Sequence, residues 1–238
     1  MLTGGARIGQ GVALALAHQG VKNFLLTYLS SQTAMQTLAG QLEALGANTL
    51  VQHMDATDEK AVQTTVQAAR EAFGSIDILL NMVSTYYQRD TFSLDLAQWR
   101  ADYDANATSI FLCMAAVAPA MKAQGYGRII NFVDWTAASR RPEYARYAAY
   151  YAAKHAAIGL TEGFALEYAP EVLINSIAPG PIIPPHDLSP AQIAQAAAKT
   201  PLKRWGGAEE IAEAVSFFIR SNFVTGECLR VDGGRHLV

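Results

Sequence analysis

The motif Y-x-x-x-K places the phenol of Tyr150 and the ammonium of Lys154 four residues apart in a stretch that predicts a helix. Residues at positions i and i+4 of a helix lie on one face, one turn apart. A neighbouring ammonium favours the phenolate, so we expect Lys154 to lower the pKa of Tyr150 from its usual value of about 10. Such a pair could pass a proton to or from a carbonyl or hydroxyl oxygen. For the motif taken alone, amphipathic helix packing is the alternative interpretation. Tyr147 and Tyr151 are also four residues apart, but no lysine lies four residues after Tyr151.

A glycine-rich turn, T-G-G-A-R-I-G-Q-G at residues 3–11, precedes an apolar helix predicted over residues 12–17. Glycine lets the backbone turn tightly and approach a phosphate group. The N-terminus of a helix offers free N–H groups and the positive end of the helix dipole. The turn therefore predicts a pyrophosphate site, with a plain strand-to-helix connection as the alternative.

Short apolar runs alternate with longer helical stretches along the chain. Strands are predicted at residues 23–28, 48–54, 76–80, 127–133, 172–177 and 228–231, and helices at 31–45, 58–73, 97–124 (with a break near 102–106), 147–168, 190–199 and 208–220. This alternation predicts an α/β fold, a doubly wound parallel sheet with helices on both faces. Only Met1 and Leu2 precede the glycine turn, so the first strand is expected to be truncated or a stub. We expect a single domain over residues 1–238.

Composition narrows the class of protein further. Of 238 residues, 51% are hydrophobic and 16% are charged, which excludes a disordered chain. The net charge of -3 argues against a nucleic-acid partner, and two cysteines cannot build a disulfide framework or a four-cysteine zinc site. No signal peptide is visible, and no uncharged apolar run reaches the roughly 18 residues of a membrane helix. We expect a cytoplasmic protein with a small-molecule substrate, no membrane partner and no metal site.

Taken in order, these motifs resemble the short-chain dehydrogenase/reductase family. The matching segments are the glycine turn at 3–11, Asn81, the Y-x-x-x-K helix, the P-G loop at 179–182 and V-D-G-G at 231–234. The resemblance covers nearly the whole chain and implies a Rossmann-type fold that moves a hydride between a nicotinamide cofactor and a small substrate. It implies that Tyr150 exchanges the proton and that Lys154 also reaches the ribose hydroxyls. If Gly9 is the last motif glycine, as we expect, the loop is one residue shorter than the family's T-G-x-x-x-G-x-G.

The residues after the second strand bear on which nicotinamide cofactor is used. An NAD site would place a carboxylate there, but residues 28–31 read Y-L-S-S. The hydroxyls of Ser30 and Ser31 and the next helix N-terminus could hold a 2′-phosphate, or the two serines could merely cap that helix. Arg7 resembles the arginine that NADP-using members carry in the glycine loop. We therefore expect NADP(H).

The resemblance implies further contacts with the cofactor and the proton relay. Asp55 matches the family's aspartate beside the adenine, with a helix N-terminal charge as the alternative. Asn106 matches the asparagine at the mid-helix break, where a backbone carbonyl and a water join the relay; a polar residue at a kink is the alternative. Residues 81–84 read N-M-V-S where the family has N-N-A-G. The remaining implied cofactor contacts are Gly4, Gly5, Ile8, Gly9, Asn81, Pro179, Gly180 and Ile182.

Asp134 departs from the family pattern at the end of the fifth strand. The family usually has N-x-S-S there, and its second serine hydrogen-bonds the substrate oxygen, whereas residues 131–134 read N-F-V-D. With Arg7, this resembles the pteridine reductase branch. Asp134 could donate a proton if burial raised its pKa, accept hydrogen bonds from a pterin amino group, or be a solvated loop aspartate. Its spacing to Tyr150 is longer than in the family, so Thr136 or Ser139 could instead take the place of the serine.

These observations predict an NADP(H)-dependent reductase, with a pteridine-like heterocycle as the first substrate candidate. Ketones, 3-oxoacyl thioesters and sugars are alternatives within the family, and a non-catalytic NADP-binding regulatory protein is an alternative of another class. The helices predicted at 97–124 and 147–168 are rich in alanine and aromatic residues. In the family these helices form the main dimer interface, so we expect a homotetramer.

Overall fold

A computed structural model of the chain describes residues 1–185 and 188–238. Over these residues, seven strands form one parallel sheet in the order β3-β2-β1-β4-β5-β6-β7. The strands are β1 (Leu2–Gly4), β2 (Asn23–Tyr28), β3 (Asn48–His53), β4 (Ile78–Met82), β5 (Gly127–Phe132), β6 (Val172–Pro179) and β7 (Cys228–Val231).

Helices cover both faces of the sheet, as expected for the doubly wound class. They are α1 (Ile8–His18), α2 (Gln32–Ala44), α3 (Glu59–Phe73), α4 (Leu96–Tyr103), α5 (Ser109–Ala123), α6 (Trp135–Ala138), α7 (Ala148–Tyr168), α8 (Pro190–Lys199) and α9 (Ala208–Arg220). One hydrophobic core contains residues of α1, α2 and α9, and the other contains residues of α3, α5 and α7. The α/β fold class predicted from the sequence is therefore confirmed.

The chain order within the sheet changes direction at β1. From β1 the chain runs outward through β2 and β3, and it then returns to build β4 on the other side of β1. In open α/β sheets, ligands bind outside the carboxyl ends of the strands at such a point. The glycine turn follows β1, and the segments 30–31, 55, 81–84, 134 and 179–182 follow the next five strands.

The first strand is short, as the sequence predicts. β1 has three residues and lies at the centre of the sheet, where Leu2 pairs in register with Leu26 of β2 and Leu80 of β4. The next helix begins earlier than predicted, at Ile8 rather than residue 12, because the end of the glycine turn already forms its first turn. β4 begins at Ile78, two residues later than predicted.

The break predicted near residues 102–106 is a π-helical turn over Asp104–Thr108 that joins α4 to α5. A π turn adds one residue to a helical turn, and such turns are frequent at functional sites. Asn106 lies inside this turn and is fully buried. The turn therefore directs Asn106 into the protein interior.

By length and composition, the stretch Leu96–Ala123 could cross a membrane. Its most apolar window has a mean hydropathy of 1.2, and 56% of that window is buried inside the fold. The core helices of globular proteins commonly satisfy both criteria, so this stretch is weak grounds for a membrane span.

Two helical glycines should respond in opposite directions to the same substitution. A Cβ at Gly11 in α1 would lie 2.5 Å from the Cβ of Ala208 in α9, whereas a Cβ at Gly40 in α2 would meet nothing within 4 Å. We expect Gly11→Ala to lower the free energy of unfolding by about 1–3 kcal/mol through overpacking. Gly40→Ala should raise it by about 0.5–1 kcal/mol through helix propensity. Urea denaturation of both variants measures the effect, and destabilisation by both or neither would contradict this packing.

Candidate active site

Tyr150 and Lys154 lie on α7 beneath the carboxyl ends of β4 and β5. Both side chains are buried, with 8% and 1% of their surface exposed. The Tyr150 hydroxyl donates a hydrogen bond to Oδ2 of Asp134 at 2.9 Å. The Lys154 ammonium donates to the carbonyl oxygen of Phe132 at 3.0 Å and lies 5.6 Å from the centre of the Tyr150 ring. The two groups of the Y-x-x-x-K motif are therefore brought together with Asp134.

The pKa values differ from the sequence expectation. Burial raises the pKa of Tyr150 well above its usual value, and the neighbouring carboxylate of Asp134 raises it further. Burial also lowers the pKa of Lys154 to about 8, against a smaller opposing effect of Asp134. The expectation that Lys154 lowers the pKa of Tyr150 is therefore wrong in this structure, because desolvation and a nearby negative charge both disfavour the phenolate.

Asp134 is held in place by the helix that it begins. It is the N-cap of α6, and its Oδ1 accepts hydrogen bonds from the backbone N–H and the hydroxyl of Thr136. The hydroxyl of Thr136 is therefore engaged with Asp134 rather than with Tyr150. Ser139 ends α6, and its buried hydroxyl has no hydrogen-bond partner within the described part of the chain. The structure thus brings Asp134, and neither of its two alternatives, to the phenol.

Asn106 is anchored by its amide group. Its Nδ2 donates to the carbonyl oxygen of Asp102 at 2.9 Å and to the carbonyl and hydroxyl oxygens of Thr85 at 3.0 and 3.1 Å. Its Oδ1 accepts a hydrogen bond from Ser84 at 2.7 Å. The predicted site residue Asn106 is therefore hydrogen-bonded to Ser84, two residues beyond β4.

Two adjoining cavities surround this group and share Tyr86, Asp134, Glu143 and Tyr144. The larger, of about 390 Å³, extends along the loop after β6, and the smaller, of about 240 Å³, reaches Tyr150. Together they form an opening at the carboxyl ends of the strands that a small substrate could enter.

Aromatic rings line the smaller cavity, and sequence reasoning did not assign them to the site. Tyr86 stacks on Tyr147 with ring centres 4.3 Å apart and makes an edge-to-face contact with Tyr150, with ring centres 4.8 Å apart. Tyr144 packs against Tyr147 with ring centres 6.4 Å apart. The high density of tyrosines between residues 144 and 151 is the sequence signal that could have identified this aromatic lining.

An ion pair between Arg235 and Glu143 borders the larger cavity and was also missed by sequence reasoning. Arg235 is near the end of the chain. Its guanidinium group packs over the ring of Trp135, and the guanidinium carbon is 5.7 Å from the ring centre. It also donates to the carbonyl oxygen of Lys199 at 3.1 Å. The pair joins residues 92 positions apart, so local sequence patterns do not indicate it.

Two residues of the glycine turn adopt a backbone conformation that favours glycine. Gly4 and Gly5 have φ angles of 67° and 84°, which are unfavourable for residues with a side chain. The first turn of α1 contains Ile8 and Gly9, and no side chain of the described residues caps that helix end. Its first N–H groups therefore lack a capping acceptor beside the opening between β1 and β4.

Arg7 does not reach the serines after β2. Its guanidinium donates to the carbonyl oxygens of Ile183 at 3.2 Å and Pro184 at 2.8 Å, so it bridges the glycine turn to the loop after β6. Ser30 is exposed, and Ser31 precedes α2 without a capping hydrogen bond from its hydroxyl. Within the described part of the chain, the Ser31 hydroxyl therefore does not cap α2, and the capping alternative does not explain why a serine stands there.

Two of the other predicted cofactor residues make contacts of their own. The carboxylate of Asp55 accepts hydrogen bonds from the backbone N–H and hydroxyl of Thr57 at 2.9 and 2.7 Å, just before α3. Asn81 donates to Oδ1 of Asn131 at 2.8 Å, and Asn131 donates to Thr161 at 2.9 Å. The side chain of Asn81 is therefore engaged within the sheet.

The P-G loop is fixed by backbone hydrogen bonds. Pro179 ends β6, and the N–H of Gly180 donates to the carbonyl oxygen of Val231 at 2.9 Å. The carbonyl oxygen of Ile182 accepts from the N–H of Gly207 at 3.0 Å. Because this loop lines the larger cavity, its backbone is held in place beside the substrate opening.

Comparison with known proteins agrees with this architecture. The sequence model of a family described as enoyl-(acyl carrier protein) reductase matches residues 5–236. The 3-oxoacyl-[acyl-carrier-protein] reductase of Synechocystis sp. is 33% identical over 98% of this chain and 95% of its own. The crystal structure of levodione reductase has a TM-score of 0.90 at 29% identity, over 100% of this chain and 96% of its own.

A blue fluorescent protein from a metagenomic library, solved in complex with NADPH, has a TM-score of 0.88 at 29% identity, over 98% of this chain and 95% of its own. The pteridine reductase branch is not confirmed, because curated relatives that align over nearly the whole chain are named 3-oxoacyl-[acyl-carrier-protein] reductases. The matched family and relatives favour an oxidoreductase over the non-catalytic alternative. The chain belongs to the short-chain dehydrogenase/reductase family, whose members are oxidoreductases that use a nicotinamide cofactor.

Proposed function

We propose that this protein is an NADP(H)-dependent reductase of a carbonyl group on a small substrate, with 3-oxoacyl thioesters as the first candidate class. The observation that carries the proposal is the buried Tyr150 phenol, which is hydrogen-bonded to Asp134 and lies one helical turn from the buried Lys154. The 3-oxoacyl class is supported by the names of curated relatives that align over nearly the whole chain. A cytoplasmic homotetramer remains our expectation.

The residues around the glycine turn fit a nicotinamide dinucleotide. Gly4 and Gly5 place backbone without side chains next to the uncapped N-terminus of α1, which suits a pyrophosphate. Ser30 and Ser31 lie after β2, where a 2′-phosphate would be held. When bound, the reduced cofactor supplies the hydride.

The protein's own residues hold and move the proton. The high pKa of Tyr150 keeps its hydroxyl protonated near neutral pH, so it can donate to the oxygen of a carbonyl as that oxygen gains negative charge. Lys154 supplies a positive charge below the ring and, as the family resemblance implies, a donor for the ribose. Its lowered pKa means that this charge is lost as the pH rises through about 8.

Removal of the phenol hydroxyl tests the proposed proton donor. Tyr150→Phe keeps the ring and its packing, so turnover should fall about 10²–10⁴-fold while NADPH affinity changes little. Lys154→Met should weaken both turnover and NADPH binding. Tyr168→Phe, at the far end of the same helix, is the matched control. Steady-state kinetics and fluorescence titration with NADPH measure the two effects, and near-normal turnover by Tyr150→Phe would refute the assignment.

Cofactor preference depends on the absence of a carboxylate after β2. Ser31→Asp should set a negative charge against the 2′-phosphate, and like-charge contacts can cost several kcal/mol. The preference for NADPH over NADH should therefore fall by at least tenfold. Thr37→Asp adds the same charge to α2 about 9 Å farther along the helix and should have a much smaller effect. Comparable affinity of the unmodified protein for NADH and NADPH would show that Ser30 and Ser31 do not select the cofactor.

A pteridine-like heterocycle is the second substrate candidate, and the position of Asp134 favours it. A carboxylate within 2.9 Å of the phenol oxygen can accept hydrogen bonds from ring amino groups, whereas an ionised carboxylate cannot donate one to a carbonyl oxygen. The tyrosine-lined cavity beside it would accommodate a flat ring. A pterin would therefore use Asp134 as a hydrogen-bond acceptor, whereas a carbonyl substrate would receive no hydrogen bond from its ionised form.

Asp134→Asn separates the two substrate classes. Asparagine keeps the helix cap but removes the charge, so turnover of a dihydropterin should fall at least tenfold while reduction of acetoacetyl-CoA survives. The variant should also lower the pKa of Lys154 below about 8, because the negative neighbour that raises it is lost. The high-pH limit of acetoacetyl-CoA reduction should then move to lower pH. Equal losses on both substrates would mean that Asp134 does not discriminate between them.

A further inference from the structure

Four tyrosine rings that contact one another line the smaller cavity, and we call them the ring cluster: Tyr86, Tyr144, Tyr147 and Tyr150. Tyr86 lies on the loop after β4, and the other three lie just before α7 or in its first turn. In the order 144, 147, 86, 150, neighbouring ring centres are 6.4, 4.3 and 4.8 Å apart. The ring cluster therefore extends to the phenol of the proposed proton donor.

Two members of the ring cluster keep much of their surface in contact with water. Tyr86 and Tyr144 are each 50% exposed, whereas Tyr150 is 8% exposed. Exposed aromatic surface inside a concave opening is typical of a site that a ligand covers. A flat group that enters the cavity would bury this surface and would lie beside the buried phenol.

Both carboxylates that line the smaller cavity have partners within the protein. Asp134 accepts a hydrogen bond from Tyr150 at 2.9 Å, and Glu143 forms an ion pair with Arg235. Arg146, which also lines this cavity, is exposed to solvent. Because the two carboxylates are engaged, we expect the aromatic rings rather than a charge to select the group that binds in the smaller cavity.

The two cavities suit the two substituents of one ketone. They share Asp134, whose carboxylate is bonded to the phenol, and their volumes are about 390 and 240 Å³. An apolar cavity of about 150 Å³ can hold a benzene molecule, so the smaller cavity has room for a six-membered ring. A carbonyl carbon beside the phenol would direct one substituent into the ring cluster and the longer one along the loop after β6.

We propose that the ring cluster binds an aromatic ring of the substrate, next to the carbonyl group that is reduced, and that Tyr86 and Tyr147 determine this specificity. The inference rests on the proposed reductase function and specifies one substituent of its substrate. Aromatic rings prefer offset-stacked or edge-to-face contacts with centres about 4.5–7 Å apart. A saturated ring of the same size fills the space but lacks the charge distribution that favours these contacts.

A matched pair of substrates isolates the contribution of the aromatic ring. The N-acetylcysteamine thioesters of 3-oxo-4-phenylbutanoic acid and 3-oxo-4-cyclohexylbutanoic acid carry the same ketone on the same chain. In both, a methylene group separates the ring from the ketone, so the phenyl ring is not conjugated with it. We expect kcat/KM to be about tenfold higher for the phenyl compound, mainly through a lower KM, because contacts with two tyrosine rings are gained.

Variants of the ring cluster test which residues produce this preference. Tyr86→Leu and Tyr147→Leu should each reduce the preference for the phenyl compound to about threefold or less, because one aromatic contact is lost. Tyr86→Phe keeps the ring and should keep the preference. Tyr126→Leu removes a tyrosine ring outside both cavities and is the matched control. A purely structural role of Tyr86 would instead lower kcat/KM for both compounds equally.

Equal kcat/KM values for the two compounds in the unmodified protein would overturn the inference, and so would a preference that survives both leucine substitutions. Acetoacetyl-CoA separates this outcome from failure of the proposed function, because its reduction without a phenyl preference rejects the aromatic site alone. If no carbonyl compound is reduced, calorimetric titration with the two thioesters still decides. Tighter binding of the phenyl compound that Tyr86→Leu abolishes supports the aromatic site, and equal binding of the two rejects it.

Discussion

The burial of the Lys154 ammonium constrains the arrangement of the site. Burying a charge is costly unless it is hydrogen-bonded, and here the carbonyl oxygen of Phe132 accepts from it at the last position of β5. That bond sets the distance between α7 and the end of β5, where Asp134 begins α6. Tyr150, one turn before the lysine, is thereby placed against Asp134. The same burial lowers the pKa of Lys154 to about 8, because desolvation disfavours the charged ammonium.

Two influences act on the Tyr150 hydroxyl. Burial and Asp134 both hold the pKa of the phenol high. A reductase benefits from a protonated donor before the hydride moves and from a stabilised phenolate afterwards. The Ser84 hydroxyl donates to Asn106, buried in its π turn, while the phenol donates to Asp134, so these two hydrogen bonds do not compete.

Local patterns predicted the elements and the helix-borne motif, because periodicity and i, i+4 spacing are properties of short stretches. The sheet, the buried pair Tyr150 and Lys154, and the break around Asn106 follow from such signals. Contacts between residues far apart in the sequence do not follow from such local signals. Arg7 bonds to carbonyl groups about 177 residues away, and Ser84 meets Asn106 only because the π turn directs the amide inward. The raised pKa of Tyr150 likewise depends on burial by distant elements, which residue spacing does not show.

The central claim is that the opening above Tyr150 reduces a carbonyl group with a hydride from NADPH. The most direct measurement uses NADPH deuterated at the transferable position of the nicotinamide, mixed with the protein and acetoacetyl-CoA, with mass spectrometry of the product. The account predicts a 3-hydroxyacyl product that carries one deuterium on the carbinol carbon. Consumption of NADPH without deuterium on that carbon would contradict it, and so would the absence of any hydroxyacyl product under conditions where NADPH binds.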